Sequence, residues 1–396
     1  MVHIPSASRT FSRTLAIGPQ GSDMAGKPSI VVVGGSYVGN AAVEEITALV
    51  HKTHNVILVE KNSHFRHLFA FPRIHAVIGF EPKAFVPYTR PGSSSAASFF
   101  AAVNGPSSSA NEAVEGYEPL PSDSIKIVND IVTSISSDAV ALGDGNKSLP
   151  FDFLVLATGT GPKGPRGLLG QDKKHGVEIS RLHQENVKKA KRIVIVGGGA
   201  YGIQLATDLK THGPTQSKHV TIVHSRPRLL NRFHEGLHDI SADKCKELGI
   251  DVILGKRVVV PQDGFPPKTA DEPFEIEFVG GGSVHGDLVI QCTGGVPLSS
   301  PLKDLAPSAI NEYGYIRVKP TLQIDTSISN IFALGDVADT GAHKAARPGR
   351  AQAAIVAQNI DKLIRVGLVR WDSQTGRKSW LNTNLMVQVF TSVWVW

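Results

Sequence analysis

Residues 192–202 read RIVIVGGGAYG, and residues 29–39 read SIVVVGGSYVG. Each stretch is a short apolar run that stops at glycine. An uninterrupted apolar run, with no polar alternation, suits a strand buried on both faces within a parallel sheet. Behind the earlier run, Ala41, Ala42, Ile46, Leu49 and Val50 place apolar side chains at helical spacing over residues 40–51. A second apolar run follows at 55–59 and ends at Glu60. Behind the later run, a helix is predicted through Leu209 and a strand over 220–223. Each unit is therefore strand, glycine turn, helix, strand.

The later turn carries Gly197, Gly199 and Gly202 at the spacing G-x-G-x-x-G. The first glycine permits the sharp turn, the second lets backbone approach a pyrophosphate, and the third lets helix pack close to strand. The N-terminus of the helix adds unpaired N–H groups and the positive end of its dipole. This turn is read as a nucleotide site. The earlier turn has Gly34, Gly35 and Gly39 but sets Ser36 at the second glycine of the pattern. A serine adds one small side chain whose hydroxyl can itself bond a phosphate; the competing reading is a turn of the same shape with its ligand lost. Glu60, at the end of the next strand, favours the site, because a carboxylate there accepts both ribose hydroxyls of an adenosine. At the matching place in the later unit stand His224, Ser225 and Arg226, with Arg228 nearby. A carboxylate would repel a 2′-phosphate, whereas arginine and serine accept one, so NADPH is expected to be accepted alongside or ahead of NADH. The alternative is that His224 only contacts the ribose of NADH and discriminates little.

The rest of the chain fits an α/β protein of several domains. Strands are expected over 125–135, 139–142, 153–157, 250–254, 274–279, 287–291 and 331–334, and a helix over about 350–365. Residues 92–121, rich in serine, alanine, glycine and proline, read as a flexible insertion. No apolar run reaches the roughly 18–20 residues of a membrane span. A net charge of +6 is mild for 396 residues; it is compatible with peripheral contact at anionic membranes, and no basic-aromatic block points to nucleic acid. The two cysteines, Cys245 and Cys292, form no CxxC pair, which argues against a zinc site, a disulfide scaffold or a dithiol relay. No metal cluster and no Ser/His/Asp triad stands out. The first residues contain Arg9, Arg13 and several serines but no acid before Asp23. That composition resembles a mitochondrial leader as much as a plain tail, leaving cytoplasm and mitochondrion both open.

Three further motifs carry a family resemblance: LVLATG at 154–159, VIQCTG at 289–294 and IFALGD at 331–336. In this order, with one glycine unit nested inside the other, they resemble the flavoproteins with two Rossmann-like dinucleotide-binding domains. Residues 67–73, the phrase VTIVHS at 220–225 and the run 343–360 look most like the apoptosis-inducing-factor and ferroptosis-suppressor group. The resemblance covers about residues 28–366. It implies a leader at 1–27, an FAD domain at 28–183 and 296–366, an NAD(P)H domain at 184–295, and a short C-terminal segment at 367–396. It implies FAD held by Gly34, Gly35, Ser36, Gly39, Glu60, Lys61, Val132, Thr158, Gly159 and Asp336. Arg73, Lys344 and Gln352 would lie around the flavin, with the start of the Gln352 helix facing its pyrimidine side. NADPH or NADH, as electron donor, would be held by Gly197, Gly199, Gly202, His224, Ser225, Arg226 and Gly294.

The activity implied is hydride transfer from NAD(P)H to flavin, followed by reduction of a quinone-like small molecule. No catalytic side chain is required, because the protein supplies orientation and electrostatics. Oxygen, a carrier protein or a specialised metabolite are alternative acceptors. Two other classes stay open: a flavin-binding signalling protein with little turnover, and an inactive scaffold altered at Ser36 and at the C-terminus. Beyond Arg370 the family continues with a segment that completes the acceptor side; here residues 371–396 end in an apolar run.

Overall fold

The structure, a computed structural model, describes residues 27–88, 124–161, 172–212, 217–266, 269–366, 369–372 and 377–380. The expected leader (but for Lys27), the insertion at 92–121 and the apolar terminal run lie outside the described residues. In chain order the elements that position the site are β1 (Ser29–Val33), α1 (Tyr37–Val50), β2 (Asn55–Val59), α2 (Phe71–Ala76), β3 (Ile125–Val128), β4 (Val132–Ile135), β5 (Ala139–Leu142), β6 (Lys147–Pro150) and β7 (Phe153–Leu156). There follow α3 (Lys173–Lys189), β8 (Arg192–Val196), α4 (Ala200–Thr211), β9 (His219–His224), α5 (Gly236–Glu247), β10 (Ile250–Leu254), β11 (Phe274–Glu277), β12 (Ser283–Gly286), β13 (Leu288–Gln291), β14 (Ile331–Ala333) and α6 (Ala346–Arg365).

Two parallel sheets organise these elements. The first has the order β14–β7–β1–β2–β3, and the second β10–β9–β8–β13. All strands of the second sheet fall in sequence between β7 and β14 of the first, so the second unit is nested within the first. The chain leaves and re-enters the first unit through a short antiparallel pair, Thr160–Gly161 with Val296–Pro297.

Alternation along β1 explains its unbroken apolar sequence. Ile30 and Val32 pack with Ala42 and Ile46 of α1 and Val356 and Ile360 of α6. Val31 and Val33 face the opposite way, against Val132, Ile135, Val140 and Leu142 of the antiparallel layer β4–β5–β6. In the second unit, Ile193 and Ile195 face Leu205 and Leu209 of α4, while Val194 and Val196 face Ile276 and Phe278. With both faces covered there is no place for a polar residue in the strand. Each such aliphatic side chain contributes about 1.5–3 kcal/mol of burial.

Three differences from the sequence reading have physical causes. The expected single strand at 125–135 is two: β3 pairs with β2 as the edge of the parallel sheet, and β4 crosses into the antiparallel layer. The helices α3 and α5 were not foreseen; among their residues few are buried, so their apolar stripes are thin. The last helix begins at Ala346, four residues ahead of the expected start. Pro348 stands in its first turn, where the missing N–H costs nothing. Gly349 is needed there because α6 presses on α1: a Cβ at 349 would lie 2.3 Å from Val38 Cγ2.

Gly349→Ala is expected to lower the free energy of unfolding by about 1–3 kcal/mol through overpacking, despite alanine's better helix propensity. Adding Val38→Ala should return part of the loss, as read by urea unfolding. A single variant as stable as the parent would show that the two helices are not in tight register.

Candidate functional site: two glycine turns and a shared edge

At the first turn Gly34 has φ +103° and a Cβ on it would lie 2.5 Å from the Ala157 carbonyl oxygen. A Cβ on Gly39 would lie 1.7 Å from the Gly34 carbonyl oxygen. The nested turn repeats this geometry: Gly197 has φ +124°, and a Cβ on Gly202 would lie 2.0 Å from the Gly197 carbonyl oxygen. These glycines are demanded by packing. Gly199, Gly159 and Gly294 are different, since a Cβ on any of them would meet nothing within 4 Å. Space is cleared in front of them.

Both helices also begin open. The N-cap residues Ser36 and Gly199 make no side-chain capping bond, and neither α1 nor α4 has an acid in its first turn. By contrast, α3 is capped by Asp172, which accepts from the His175 N–H at 2.9 Å. Uncapped N–H groups and an uncompensated dipole end favour an anion. With clear space at Gly199, the nested turn fits the pyrophosphate of a dinucleotide; at the first turn Tyr88 and Glu60 stand over Gly35, and it is the open start of α1 that fits one.

Glu60 is buried and accepts the Gly35 N–H on Oε2 at 2.6 Å. Its Oε1 accepts from the Asn62 N–H at 2.9 Å and from the Asn62 amide. The Gly35 carbonyl accepts from Asn40 Nδ2 at 2.9 Å and from the Tyr88 hydroxyl. Burial, then the nearby Glu60, hold the Tyr88 phenol well above its ordinary pKa, so it stays a donor. Asn62 Oδ1 accepts from Arg66 at 2.6 Å. Asn62, Arg66 and Tyr88 were missed in the sequence because they reach Glu60 and Gly35 through the fold. Lys61 is exposed beside Glu60. Val132 is buried behind the sheet, lining a small apolar crevice with Val33, Ile135, Leu156, Thr158 and Leu298. Thr158 donates to the Leu298 carbonyl at 2.7 Å, and the Gly159 carbonyl accepts the Leu298 N–H at 3.0 Å. The LVLATG motif is thereby tied to the returning chain.

In the nested unit His224 takes the place of Glu60. Its Nδ1 accepts the Gly198 N–H at 3.1 Å, and its Nε2 lies 3.3 Å from Asn231 Oδ1. Burial, the largest effect, lowers the His224 pKa, which keeps the ring neutral and able to accept. Ser225 is half-buried, Arg226 is exposed, and Arg228 pairs with Glu235 at 3.0 Å.

The third cluster joins the units. Gln352 Oε1 accepts the Gly335 N–H at 2.8 Å while its Nε2 lies 3.3 Å from Thr340 Oγ1. Gln352 thus stands in the second turn of α6 and ties it to the IFALGD motif. The Lys344 ammonium donates to the Ala338 carbonyl and lies 4.6 Å over the Tyr315 ring. Burial lowers the Lys344 pKa against the pull of Asp336, and burial raises the Asp336 pKa against Lys344, His343 and Arg232. Arg232 belongs to the nested unit, and the neighbouring Phe233 ring meets His343 at 4.6 Å. The segment after β9 therefore reaches the 336–344 edge of the first unit.

Arg73 is not joined to Lys344 or Gln352 by any hydrogen bond or ion pair among the described residues. Its guanidinium pairs with buried Asp208 of α4 at 2.9 Å, fastening α2 to the nested unit. Beside that pair the rings of His75 and His183 lie 4.1 Å apart, and the Tyr201 hydroxyl is 3.3 Å from His75 Nδ1. Cys245 is buried in the core of the nested unit. The Cys292 thiol, behind the nested turn, is pushed up to about 12 by burial, so it does not ionise at neutral pH.

Comparison with known proteins places the chain in a family. The model of the pyridine nucleotide-disulphide oxidoreductase family matches residues 28–358. The chain is 34% identical over 347 residues to Fe-regulated protein 8 of Mycosarcoma maydis, covering 85% of this chain and 80% of that one. It is 29% identical over 351 residues to ferroptosis suppressor protein 1 of Homo sapiens, covering 87% and 83%. Among solved structures, the sulfide:quinone oxidoreductase of Aquifex aeolicus superposes with a TM-score of 0.64 at 20% identity, over 87% of this chain and 78% of that one.

Three outcomes follow from the glycine and ion-pair geometry. Gly202→Ala should destabilise the protein by on the order of 3 kcal/mol or more, since backbone must move. Gly199→Ala should leave unfolding within about 0.5 kcal/mol of the parent yet weaken nucleotide binding at least tenfold in calorimetric titration. Arg73→Ala should cost about 1–3 kcal/mol by leaving the buried Asp208 carboxylate with only His212, 3.8 Å away, beside it among the described residues. Asp208→Asn added to it should recover much of that loss, with bound flavin unchanged throughout. Loss of flavin from the Arg73 variant would instead place that residue at the cofactor.

Proposed function

Because the chain belongs to the pyridine nucleotide-disulphide oxidoreductase family, whose members use FAD with a nicotinamide nucleotide as donor, we propose that it oxidises NADPH or NADH and reduces a quinone-like small molecule. The observation that carries this reading is the pair of uncapped glycine turns, one on each parallel sheet, with a shared edge between them. We assign residues 28–183 and 296–366 to FAD and residues 184–295 to the nicotinamide nucleotide. When bound, FAD supplies the hydride acceptor and the means of passing electrons on to a second substrate.

The chain's own residues have the following parts. Gly34, Gly35 and Ser36 with the start of α1 would receive the FAD pyrophosphate, and Gly39 allows that helix its close approach. Glu60 would accept from the adenosine ribose; a carboxylate has about four lone-pair sites, so its bonds to Gly35 and Asn62 leave acceptor capacity. Asn62, Arg66 and Tyr88 hold Glu60 and Gly35 in place. Thr158, Gly159 and Asp336, with Lys344 and Gln352, form the edge toward the flavin. The Lys344 ammonium and the uncapped start of α6 bring positive charge there, which favours a reduced, anionic cofactor. Gly197, Gly199 and Gly202 with the start of α4 would hold the donor, flanked by His224, Ser225, Arg226 and Gly294.

The acceptor is taken to be a small molecule because the chain has no dithiol to relay electrons: its two cysteines are not adjacent, and burial raises the pKa of both. A thiol that does not ionise is a poor nucleophile. The resemblance to the ferroptosis-suppressor group supports a quinone.

Purified protein should show flavin absorbance and be bleached on anaerobic titration with NADPH or NADH. Adding a short-chain ubiquinone should then restore the oxidised spectrum within the dead time of manual mixing. Folded protein that is colourless and takes up no added FAD would overturn the proposal. A bleached protein that the quinone cannot reoxidise, but oxygen can, would overturn the choice of acceptor alone.

A further inference from the structure

Three hydrogen bonds close a ring around the second residue of the nested turn. The Gly198 N–H donates to His224 Nδ1 at 3.1 Å, His224 Nε2 meets Asn231 Oδ1 at 3.3 Å, and the Leu230 N–H donates back to the Gly198 carbonyl at 3.0 Å. A fourth bond, from the Leu229 N–H to His238 Nδ1 at 3.1 Å, ties the same segment to α5. Leu229 rests on the turn itself, since a Cβ on Gly198 would lie 2.5 Å from its Cδ2. Leu230 has φ +49°, a left-handed conformation that a leucine adopts only when its surroundings hold it there. The chain after β9 is thus clamped onto the glycine turn with Asn231 at an exposed position.

Counting donors and acceptors shows what this ring offers a nucleotide. A neutral imidazole has one lone pair and one N–H. The lone pair of His224 is committed to the Gly198 N–H, so the hydrogen sits on Nε2 and is committed to the Asn231 carbonyl oxygen. His224 therefore has no acceptor left for a ribose hydroxyl. Glu60, in the same place in the first unit, takes the Gly35 N–H on Oε2 and both Asn62 donors on Oε1, which leaves about one of its four lone-pair sites for a ribose hydroxyl. What remains on the nested side is donors: the Asn231 amide N–H groups, which the ring does not use, with Ser225 and the exposed Arg226. Arg228 is engaged by Glu235. A donor edge complements a phosphate monoester better than a pair of hydroxyls.

We propose that Asn231 is a specificity-determining residue of the nicotinamide-nucleotide site, reading the substituent at the adenosine 2′ position through its amide N–H donors, with His224 the positioning residue that holds it there. This rests on the nested turn being the nucleotide site. It deepens that reading, because the residue that selects the nucleotide lies seven positions beyond the strand end where selection is usually sought.

The test is calorimetric titration of the full-length protein with adenosine 2′,5′-bisphosphate and with 5′-AMP, which probe the adenosine half without any redox step. The parent should bind the bisphosphate about tenfold more tightly than AMP or better. Asn231→Ala should weaken the bisphosphate about five- to tenfold and AMP less than twofold. Asn231→Asp should invert the preference, because a carboxylate repels the phosphate and accepts a hydroxyl. His224→Glu, which keeps an acceptor for Gly198, should also shift the ratio toward AMP. The double variant Asn231→Ala with His224→Ala should lose no more discrimination than either single change. An unchanged ratio in the Asn231 variants would overturn the proposal while leaving the nucleotide site intact. Equal weakening of both ligands with a lowered melting temperature would also overturn it, as a purely structural role. A parent that binds neither ligand would overturn the site assignment, and the proposal with it.

Discussion

The architecture depends on two places where a helix comes so near the end of its strand that no Cβ fits between them. At Gly39 and Gly202 the forbidden atom would fall on the carbonyl oxygen of the first glycine in the turn, 1.7 and 2.0 Å away. That approach brings the first N–H groups of α1 and α4 to the tips of β1 and β8. It also sets the packing of α1 under α6, where Gly349 repeats the demand for a missing side chain. The same closeness accounts for the open helix ends. A side-chain cap at Ser36 or Gly199 would occupy the position where an anion gains most from the backbone. Stability is forgone locally, and the sheets, covered on both faces, carry it instead.

Behind each turn the strand end is locked to the second residue of the loop, and the two units use different chemistry for the lock. In the first, a buried carboxylate receives the Gly35 N–H; in the second, a neutral imidazole receives the Gly198 N–H. The geometry is shared and the charge is not. A carboxylate favours hydroxyl groups and disfavours phosphate nearby, whereas a neutral imidazole leaves the local field to Arg226. The backbone of the turn is thereby held alike in both units by side chains of different charge.

What was legible in the sequence is what is encoded locally. β1 and β2 were read to the residue because a strand buried on both faces is a nearly unbroken apolar run, and β10, an edge strand with Asp251 exposed, because its run is bounded by Gly249 and Gly255. The glycine turns were read because their spacing is a property of a few consecutive residues. The start of α6 was misplaced because Pro348 and Gly349 are helix breakers in isolation, and only the contact with Val38, three hundred residues earlier in order of magnitude, gives Gly349 its reason. β4 was merged with β3 because only the two polar residues Asn129 and Asp130 separate their apolar runs, too short a break to mark a change of sheet without the fold. At the site, Glu60 was legible from its distance along the chain, but Tyr88, Asn62 and Asn231 were not. Their roles arise from contacts across loops, for which the sequence has no periodic signal. Arg73 could be placed near the cofactor by resemblance, but its pairing with Asp208 depends on how α2 meets the nested helix α4.

Electron transfer between two bound dinucleotides requires that their binding units be held in register, and three separate contacts supply that. The Arg73–Asp208 pair fixes α2 to α4 at 2.9 Å, close to the His75–Tyr201 contact beside the nested turn. The strand pair Thr160–Gly161 with Val296–Pro297 ties the outgoing chain to the returning one. The Phe233–His343 contact, with Arg232 near Asp336, closes the third side. The first is an ion pair with its acid buried, the second is backbone, and the third is aromatic and exposed to solvent in part. Contacts of such different chemistry do not weaken together as salt or pH changes: screening acts on exposed charge and leaves backbone pairing almost untouched. A hinge between the units would have to break all three.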